Sequence, residues 1–457
     1  WQITSTGRTN SISKPSIGRR PDRRVPVDID VGLTVNWYDE YIICYGANFW
    51  HKPNQRTRDV PNRIEADYLI ETAVEVERAA AAMAGEQSSG TFVAVPGETP
   101  ELKERSAARV ESIKALRTVD GPSKKGASGG VSINQADVTL SWPIENTGPD
   151  LLNLMAKVSG HLLEKKQYSG LRLLDLRLPS EFASAYPGPK FGVEGTRRLA
   201  GIETGPLIGT IIKPSVGLDA DQTADLVKTL ADANIDFIKD DELHANGLHC
   251  PFEDRVRASM RVINNHADRT GKKVMYAFNL TGEIDDMRRR HDLILELGGT
   301  CAMVSLNSIG LTGLLALARH TELPIHAHRN GWGYLSRHPL LGWSYVAWQK
   351  FWRLAGADHM HVNGLSNKFS EDDDSVIASA KECLTPMFDA KPCIAMPVFS
   401  SGQSAVQPPE TYRRLGSADL IYTAGGGILA HPAGPAAGVA SLRESWEAAL
   451  AGIDANE

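Results

Sequence analysis

Residues 235–242 read IDFIKDDE and are the stretch of this chain best equipped for chemistry. An apolar run, Ile235, Phe237 and Ile238, leads straight into Lys239, Asp240, Asp241 and Glu242. Side chains of a strand alternate faces with period two. Lys239 and Asp241 therefore share a face, and Asp240 takes the other. Glu242 joins the first pair only where the strand ends and the alternation breaks. Four charges at the end of an apolar strand are costly to bury without partners. One reading is a solvated turn, since charged residues are mostly exposed. The other is a metal site, in which two carboxylates and a modified lysine hold Mg2+, an ion that prefers oxygen ligands and leaves positions for substrate.

The elements around this stretch favour the second reading. After residue 201, apolar strands recur at 205, 235, 274, 301, 323, 358, 393 and 420. Helical stretches follow them, for example 219–233, 252–266 and 373–383. Eight such units in roughly 240 residues match the count and length of a (β/α)8 TIM barrel. Polar residues gather at the C-terminal ends of the strands: Lys213, the Lys239 to Glu242 group, Asn279, His326 and His328, His361, Ser400 and Ser401, and Gly425 to Gly427. That end of a barrel carries the active site.

Before residue 201 the pattern differs. Strands are expected at 65–74, 91–95, 131–142 and 171–178. Helices are expected at 74–85, 100–116 and 151–164, with a flexible loop at 121–130. Interleaved strands and helices suggest an α+β domain. The expected division is an unassigned extension 1–60, an α+β domain 61–180, a connector 181–204 and a catalytic barrel 205–457.

Composition excludes several classes. At 457 residues the chain is too long for one ordinary core. A formal net charge of −6 and the lack of a basic, aromatic-interleaved patch speak against nucleic acid. The basic run 19–24 reads as solvated and is assigned no partner. No stretch reaches the length and apolarity of a membrane span. Five cysteines, at 44, 250, 301, 383 and 393, have no metal-type spacing. Reduced thiols in a cytoplasmic protein, with no signal peptide evident, are the expectation.

An ordered set of motifs carries a resemblance. GTIIKPSVGL (209–218), IDFIKDDE, HAHR (326–329), GADHMHVNG (356–364), VFSSG (398–402) and AGGGILAHP (424–432) together resemble the ribulose-bisphosphate carboxylase (RuBisCO) large-subunit family. LRLLDLRLP (171–179) and GEQSSGTF (85–92) extend the likeness into the N-terminal domain, for which it implies a ferredoxin-like fold. The resemblance implies that Lys239 is carbamylated by CO2 and, with Asp241 and Glu242, ligates Mg2+. It makes Lys213 a proton-moving lysine. His328, Arg329 and His361 become binders of substrate phosphate and hydroxyls. Ser400, Gly402, Gly425 and Gly426 become phosphate binders. Glu86 and Thr91 would reach into a partner subunit's barrel, which implies a homodimer or a multiple of one.

The departures are equally informative. Ser215 stands where true carboxylases have a second lysine, Trp332 where they have a histidine, and Phe92 where they have tryptophan. Lys157 replaces a substrate-holding asparagine. Lys368 matches the lid lysine, but its glycine neighbours have become Asn367, Phe369 and Ser370. Glycines let a lid bend and close. The metal site and a phosphate site are kept while the gas-handling residues are changed, which is the pattern of a RuBisCO-like protein, the type IV branch. The expected activity is Mg2+-dependent enolisation, with isomerisation or decarboxylation, of a phosphorylated keto-sugar or keto-acid. Lys213 or Lys157 would be the base. Two alternatives stand beside it: a genuine ribulose-1,5-bisphosphate carboxylase and a non-catalytic sugar-phosphate binder.

Overall fold

The computed structural model describes residues 62–90, 95–125, 127, 130 and 132–452. The extension 1–60, Cys44, Thr91, Phe92 and nearly all of the strand expected at 91–95 lie outside the described residues.

Strand β1 (Arg63–Thr72) shows how pattern becomes structure. Ile64, Ala66, Tyr68 and Ile70 alternate along it and are wholly buried. Helix Val76–Glu86 lays Ala79, Ala80 and Met83 into the same core. Two buried phenols tie helices to the sheet: Tyr68 donates to the Val158 carbonyl and Tyr168 to that of Ala79, both at 2.7 Å.

The helix expected over 100–116 is corrected. Helix Pro100–Ser106 is followed at once by strand β2 (Arg109–Val119). Its Glu, Lys, Ala and Leu residues favour helix, but pairing along β3 (Ile133–Pro143) prevails. Cross-strand bonds Ser112–Thr139 (3.0 Å), Arg117–Gln135 (2.8 Å) and Thr118–Asn134 (2.9 Å) hold the edge. The helix expected over 151–164 stops at Val158 and gives way to a 3-10 turn, Gly160–Glu164, entered at φ +36°. Strand β4 spans Tyr168–Arg177. The connector is not featureless, for it carries helices Glu181–Ala185 and Gly192–Ala200. The second packs Ala200 with Leu207, Phe237 and Met275 in an apolar cluster of barrel-strand residues.

All eight expected barrel strands form. They are β5 (Leu207–Ile211), β6 (Phe237–Lys239), β7 (Met275–Asn279), β8 (Cys301–Ser305), β9 (Ile325–His328), and, after β10 (Leu341–Trp343), β11 (His359–His361), β12 (Met396–Phe399) and β13 (Ile421–Thr423). The parallel barrel closes in the order β11-β12-β13-β5-β6-β7-β8-β9. Strand β10 was not expected. It leaves the barrel's path and pairs in parallel with β4, extending the N-terminal sheet to β10-β4-β1-β3-β2. The loop before β10 is thereby held against the N-terminal domain. No described helix is long and apolar enough to cross a membrane. The four described cysteines are buried free thiols.

Candidate active site

Strand β6 ends at Lys239, and the alternation expected from sequence holds through the turn. Asp240 faces away from the mouth. Both its carboxylate oxygens are engaged: Arg255 donates at 3.1 Å, the Tyr276 hydroxyl at 2.7 Å and the Asn279 amide at 2.8 Å. Asp240 and Arg255 are both fully buried. Asn279, at the end of β7, also holds the next two residues. Its Nδ2 donates to the carbonyls of Asp241 (3.2 Å) and Glu242 (3.4 Å), while its Oδ1 accepts from Thr281. The reading from sequence gave Asn279 a place but no role; the role is to clamp the backbone that presents the two carboxylates.

Those carboxylates face the mouth with Lys239. The Lys239 ammonium is buried and donates to the Asp240 carbonyl at 2.8 Å, with Glu242 Oε2 3.8 Å away. Burial lowers its pKa against the pull of Glu242, Asp241 and Asp240. That shift favours the neutral amine, the form that can add to CO2. Asp241 accepts from Lys213 at 2.5 Å and from the Leu243 amide at 3.0 Å. Glu242 Oε2 lies 3.5 Å from His328 Nε2. Two carboxylates beside a lysine able to become an anionic carbamate make an oxygen donor set of the hardness Mg2+ requires. Lys239, Asp241 and Glu242 are thus the residues that could hold it.

Strands β9, β11 and β12 build the adjoining wall. Burial and the nearby Lys239 charge push His328 down to about 4, against the pull of Glu242. Its ring lies 4.3 Å from that of His361, tilted by 54°, and the His361 Nε2 meets Ser400 Oγ at 2.8 Å. Arg329 is paired with Glu371 and lies 4.6 Å over the Tyr345 ring. Its Nη1 is buried and without a partner among the described residues. Glu371 Oε2 also accepts from Asn363 at 2.7 Å.

One cavity of about 1060 Å³ collects these groups. Lys213, Lys239, Asp241, Glu242, His328, Arg329, His361, Lys368, Ser400, Gly402, Gly425 and Gly426 all line it. Lys368 is exposed, 5.3 Å over the Phe369 ring. Glu86 and Lys157 do not line it. Glu86 is paired with Lys165, and Lys157 donates to the Gln87 carbonyl at 3.4 Å. Sequence reasoning missed Arg172, Arg337, Asn363 and Glu371, which also line the cavity. Glu371 opens an acidic run that reads as solvated, and Arg172 sits in an otherwise ordinary strand.

A second cluster of possible ligands, His291, Asp292 and His320, lies elsewhere. His291 Nε2 accepts the Glu322 amide at 3.1 Å, so its proton sits on Nδ1, 2.9 Å from Asp292. That proton occupies the position a metal would need, and the cluster is a hydrogen-bonded bridge.

A parallel eight-stranded barrel with a lysine and two carboxylates at the end of its second strand, beside an α+β domain, defines a narrow class. The ribulose bisphosphate carboxylase large-chain catalytic domain matches residues 192–457, and its N-terminal domain matches 66–182. A Xanthobacter autotrophicus protein named 3-oxo-isoapionate-4-phosphate transcarboxylase/hydrolase is 60% identical over 390 residues, covering 85% of this chain and 94% of that one. A Rhizobium etli protein named 3-oxo-isoapionate-4-phosphate decarboxylase is 46% identical over 392 residues, with 85% and 94% covered. The crystal structure of a rubisco-like protein from Burkholderia fungorum superposes with a TM-score of 0.81 at 45% identity, covering 86% of this chain and 95% of that one. A dimeric archaeal Rubisco from Hyperthermus butylicus superposes with a TM-score of 0.75 at 27% identity, covering 88% and 93%. The chain belongs to the RuBisCO large-chain family, in its RuBisCO-like branch.

Proposed function

We propose that this protein is a Mg2+-dependent enzyme acting on a phosphorylated 3-oxo acid of the 3-oxo-isoapionate-4-phosphate kind, breaking a carbon–carbon bond beside the ketone. The observation that carries this reading is the single cavity in which the Lys239–Asp241–Glu242 set meets Lys213 and the Ser400–Gly402–Gly425–Gly426 group. The names of the relatives supply the substrate class.

Carbamylated Lys239, Asp241 and Glu242 would hold the ion, which when bound supplies Lewis-acid polarisation of the ketone. Asp241 aims the Lys213 ammonium into the cavity, and the Ser215 hydroxyl accepts from it at 2.8 Å. When the bond to the carboxylate breaks, its electron pair passes toward the ketone and the vacated carbon takes a proton. Lys213 is the group placed to deliver it. His328, kept neutral by burial, offers a hydrogen bond rather than a charge. Gly402 takes φ +90°, a conformation that favours glycine, and a Cβ on Gly426 would meet nothing within 4 Å. Backbone amides can therefore approach a phosphate there. The altered positions Ser215 and Trp332 weigh against CO2 fixation.

The test is incubation of the purified protein with 3-oxo-isoapionate-4-phosphate, Mg2+ and bicarbonate, reading CO2 release and product mass. Loss of CO2 marks a decarboxylase, and gain of water with cleavage marks a hydrolase. No turnover, with ribulose bisphosphate carboxylated instead, would sink the reading.

Glu86, Thr91 and Lys157 belong to the same proposal, as groups offered to a partner subunit's cavity in a cytoplasmic homodimer or a multiple of one. Glu86 and Lys157 sit away from their own chain's cavity, and the Hyperthermus relative is dimeric. Light scattering of the active protein is expected to give a dimer or larger; an active monomer refutes the arrangement. Coexpressing Lys157→Ala with Lys239→Ala chains is expected to restore part of the activity that each lacks alone.

A further inference from the structure

The cavity contains more cations than the metal and phosphate groups require, and their pairing separates them. Lys213 is paired with Asp241, and Arg329 with Glu371. Arg172 reaches across from β4 of the N-terminal domain and spends its Nη1 on backbone carbonyls. It donates to His338 at 2.9 Å, to Pro339 at 3.3 Å and to Ser336 at 3.4 Å. Those carbonyls flank Arg337 on both sides. Strand β10, three residues on from His338, is itself zipped to β4. The backbone on either side of Arg337 is therefore pinned, while Arg337, an exposed residue, lines the cavity and its side chain has no hydrogen-bond or ion-pair partner among the described residues. Lys368 also lines the cavity, but its loop is held by bonds of Asn367 to Gly364, Phe369 and Glu371 within the loop itself, without a hydrogen bond to the N-terminal domain among the described residues.

We propose that Arg337 binds the substrate's carboxylate, and so selects phosphorylated acids over phosphorylated sugars that lack the acid group. The inference rests on the reading of the substrate as a phosphorylated oxo acid. A guanidinium presents two parallel N–H donors that match a carboxylate's two oxygens. A pinned backbone lowers the entropy lost in using it. Gly425 and Gly426 follow β13, three strands round the barrel from β9 in the order β9-β11-β12-β13. Phosphate and carboxylate ends would thus be read from different parts of the mouth. With one anion taken there, Arg337 is the unpaired cation on ordered backbone left for the other.

The test uses binding rather than turnover, so that it stands apart from the reaction. 3-Phosphoglycerate and glycerol 3-phosphate differ in a carboxylate against a hydroxymethyl group, and their affinities for the Mg2+- and bicarbonate-loaded protein are measured by calorimetry. The wild type is expected to prefer 3-phosphoglycerate. Arg337→Ala is expected to lose that preference by about tenfold, the scale of a charge-assisted contact at an exposed site, while its glycerol 3-phosphate affinity is unchanged. Arg337→Lys, which keeps the charge without the fork, is expected to fall between. An unchanged preference in Arg337→Ala, or its loss in Lys368→Ala instead, overturns the assignment. So does a wild type with no preference. If Arg337→Ala weakens ribulose 1,5-bisphosphate but not 3-phosphoglycerate, the site belongs to a second phosphate. A retained, Arg337-dependent preference in a protein that does not turn over 3-oxo-isoapionate-4-phosphate would count against the proposed reaction alone.

Discussion

Asp241→Ala and Glu242→Ala are each expected to lose Mg2+ binding and to lower turnover by about 10²- to 10³-fold, the scale seen when a preorganised electrostatic group is removed. Both variants are expected to stay folded. Asp241→Ala releases Lys213, but that side chain is 44% exposed and water can take over its solvation. The Glu242 carboxylate meets its own backbone amide, and its charged partners among the described residues are His328 at 3.5 Å and Lys239 at 3.8 Å, so its loss leaves no tightly bonded side chain stranded. Lys239→Ala completes the series. Activity is expected to rise when the wild type is preincubated with bicarbonate and Mg2+, and this rise is expected to vanish in Lys239→Ala. Removing a buried amine with one hydrogen bond also removes its desolvation cost, so a folded variant is expected. Calorimetry with Mg2+ checks the first claim, and assays after preincubation check the second. Retained Mg2+ affinity in both carboxylate variants would falsify the metal assignment, and full wild-type activity in CO2-free buffer would dismiss the carbamate.

Asp240→Ala is expected to act on stability, costing about 3–5 kcal/mol, because it strands a buried guanidinium. Arg255 would keep its carbonyl partners, the nearest being Ala245 at 2.8 Å, but lose its counter-charge. The Tyr276 hydroxyl and the Asn279 amide would lose their acceptor as well. Slackening of Asn279 would let the Asp241–Glu242 backbone drift, so activity is expected to fall even in the fraction that folds. Urea unfolding measures the cost through the midpoint at constant slope. Neighbouring aspartates thus separate cleanly: Asp241→Ala lowers turnover and leaves the midpoint nearly unchanged, whereas Asp240→Ala moves the midpoint. Equal midpoints for the two variants would contradict the opposite facing of their side chains.

That separation is legible in the sequence. Period-two alternation put Asp240 on one face and Lys239 with Asp241 on the other, and the backbone obeys it because β6 pairs on both sides up to Lys239. The eight barrel strands were legible for a related reason. A strand inside a barrel is covered on both faces, so each is a short apolar run that ends abruptly in polar residues. The helix expected over 100–116 failed because β2 is an edge strand. Most of its side chains are exposed, so burial leaves little mark on its sequence, and its conformation comes from hydrogen bonds to β3.

The sequence by itself determined the barrel, the lysine and carboxylates at its mouth, and the glycines and serines expected to meet phosphate, since each is encoded within a few neighbouring residues. Only the tertiary structure decided which of those groups share one cavity. It also decided that Asn279 clamps the carboxylate backbone, that Glu86 and Lys157 lie outside their own chain's cavity, and that Arg172 pins the loop bearing Arg337. The physical reason is distance along the chain. Arg172 and His338 are 166 residues apart, and Asn279 and Asp241 are 38 apart. Contacts of that span leave no periodicity in the sequence and exist only once strand pairing has brought the two segments together.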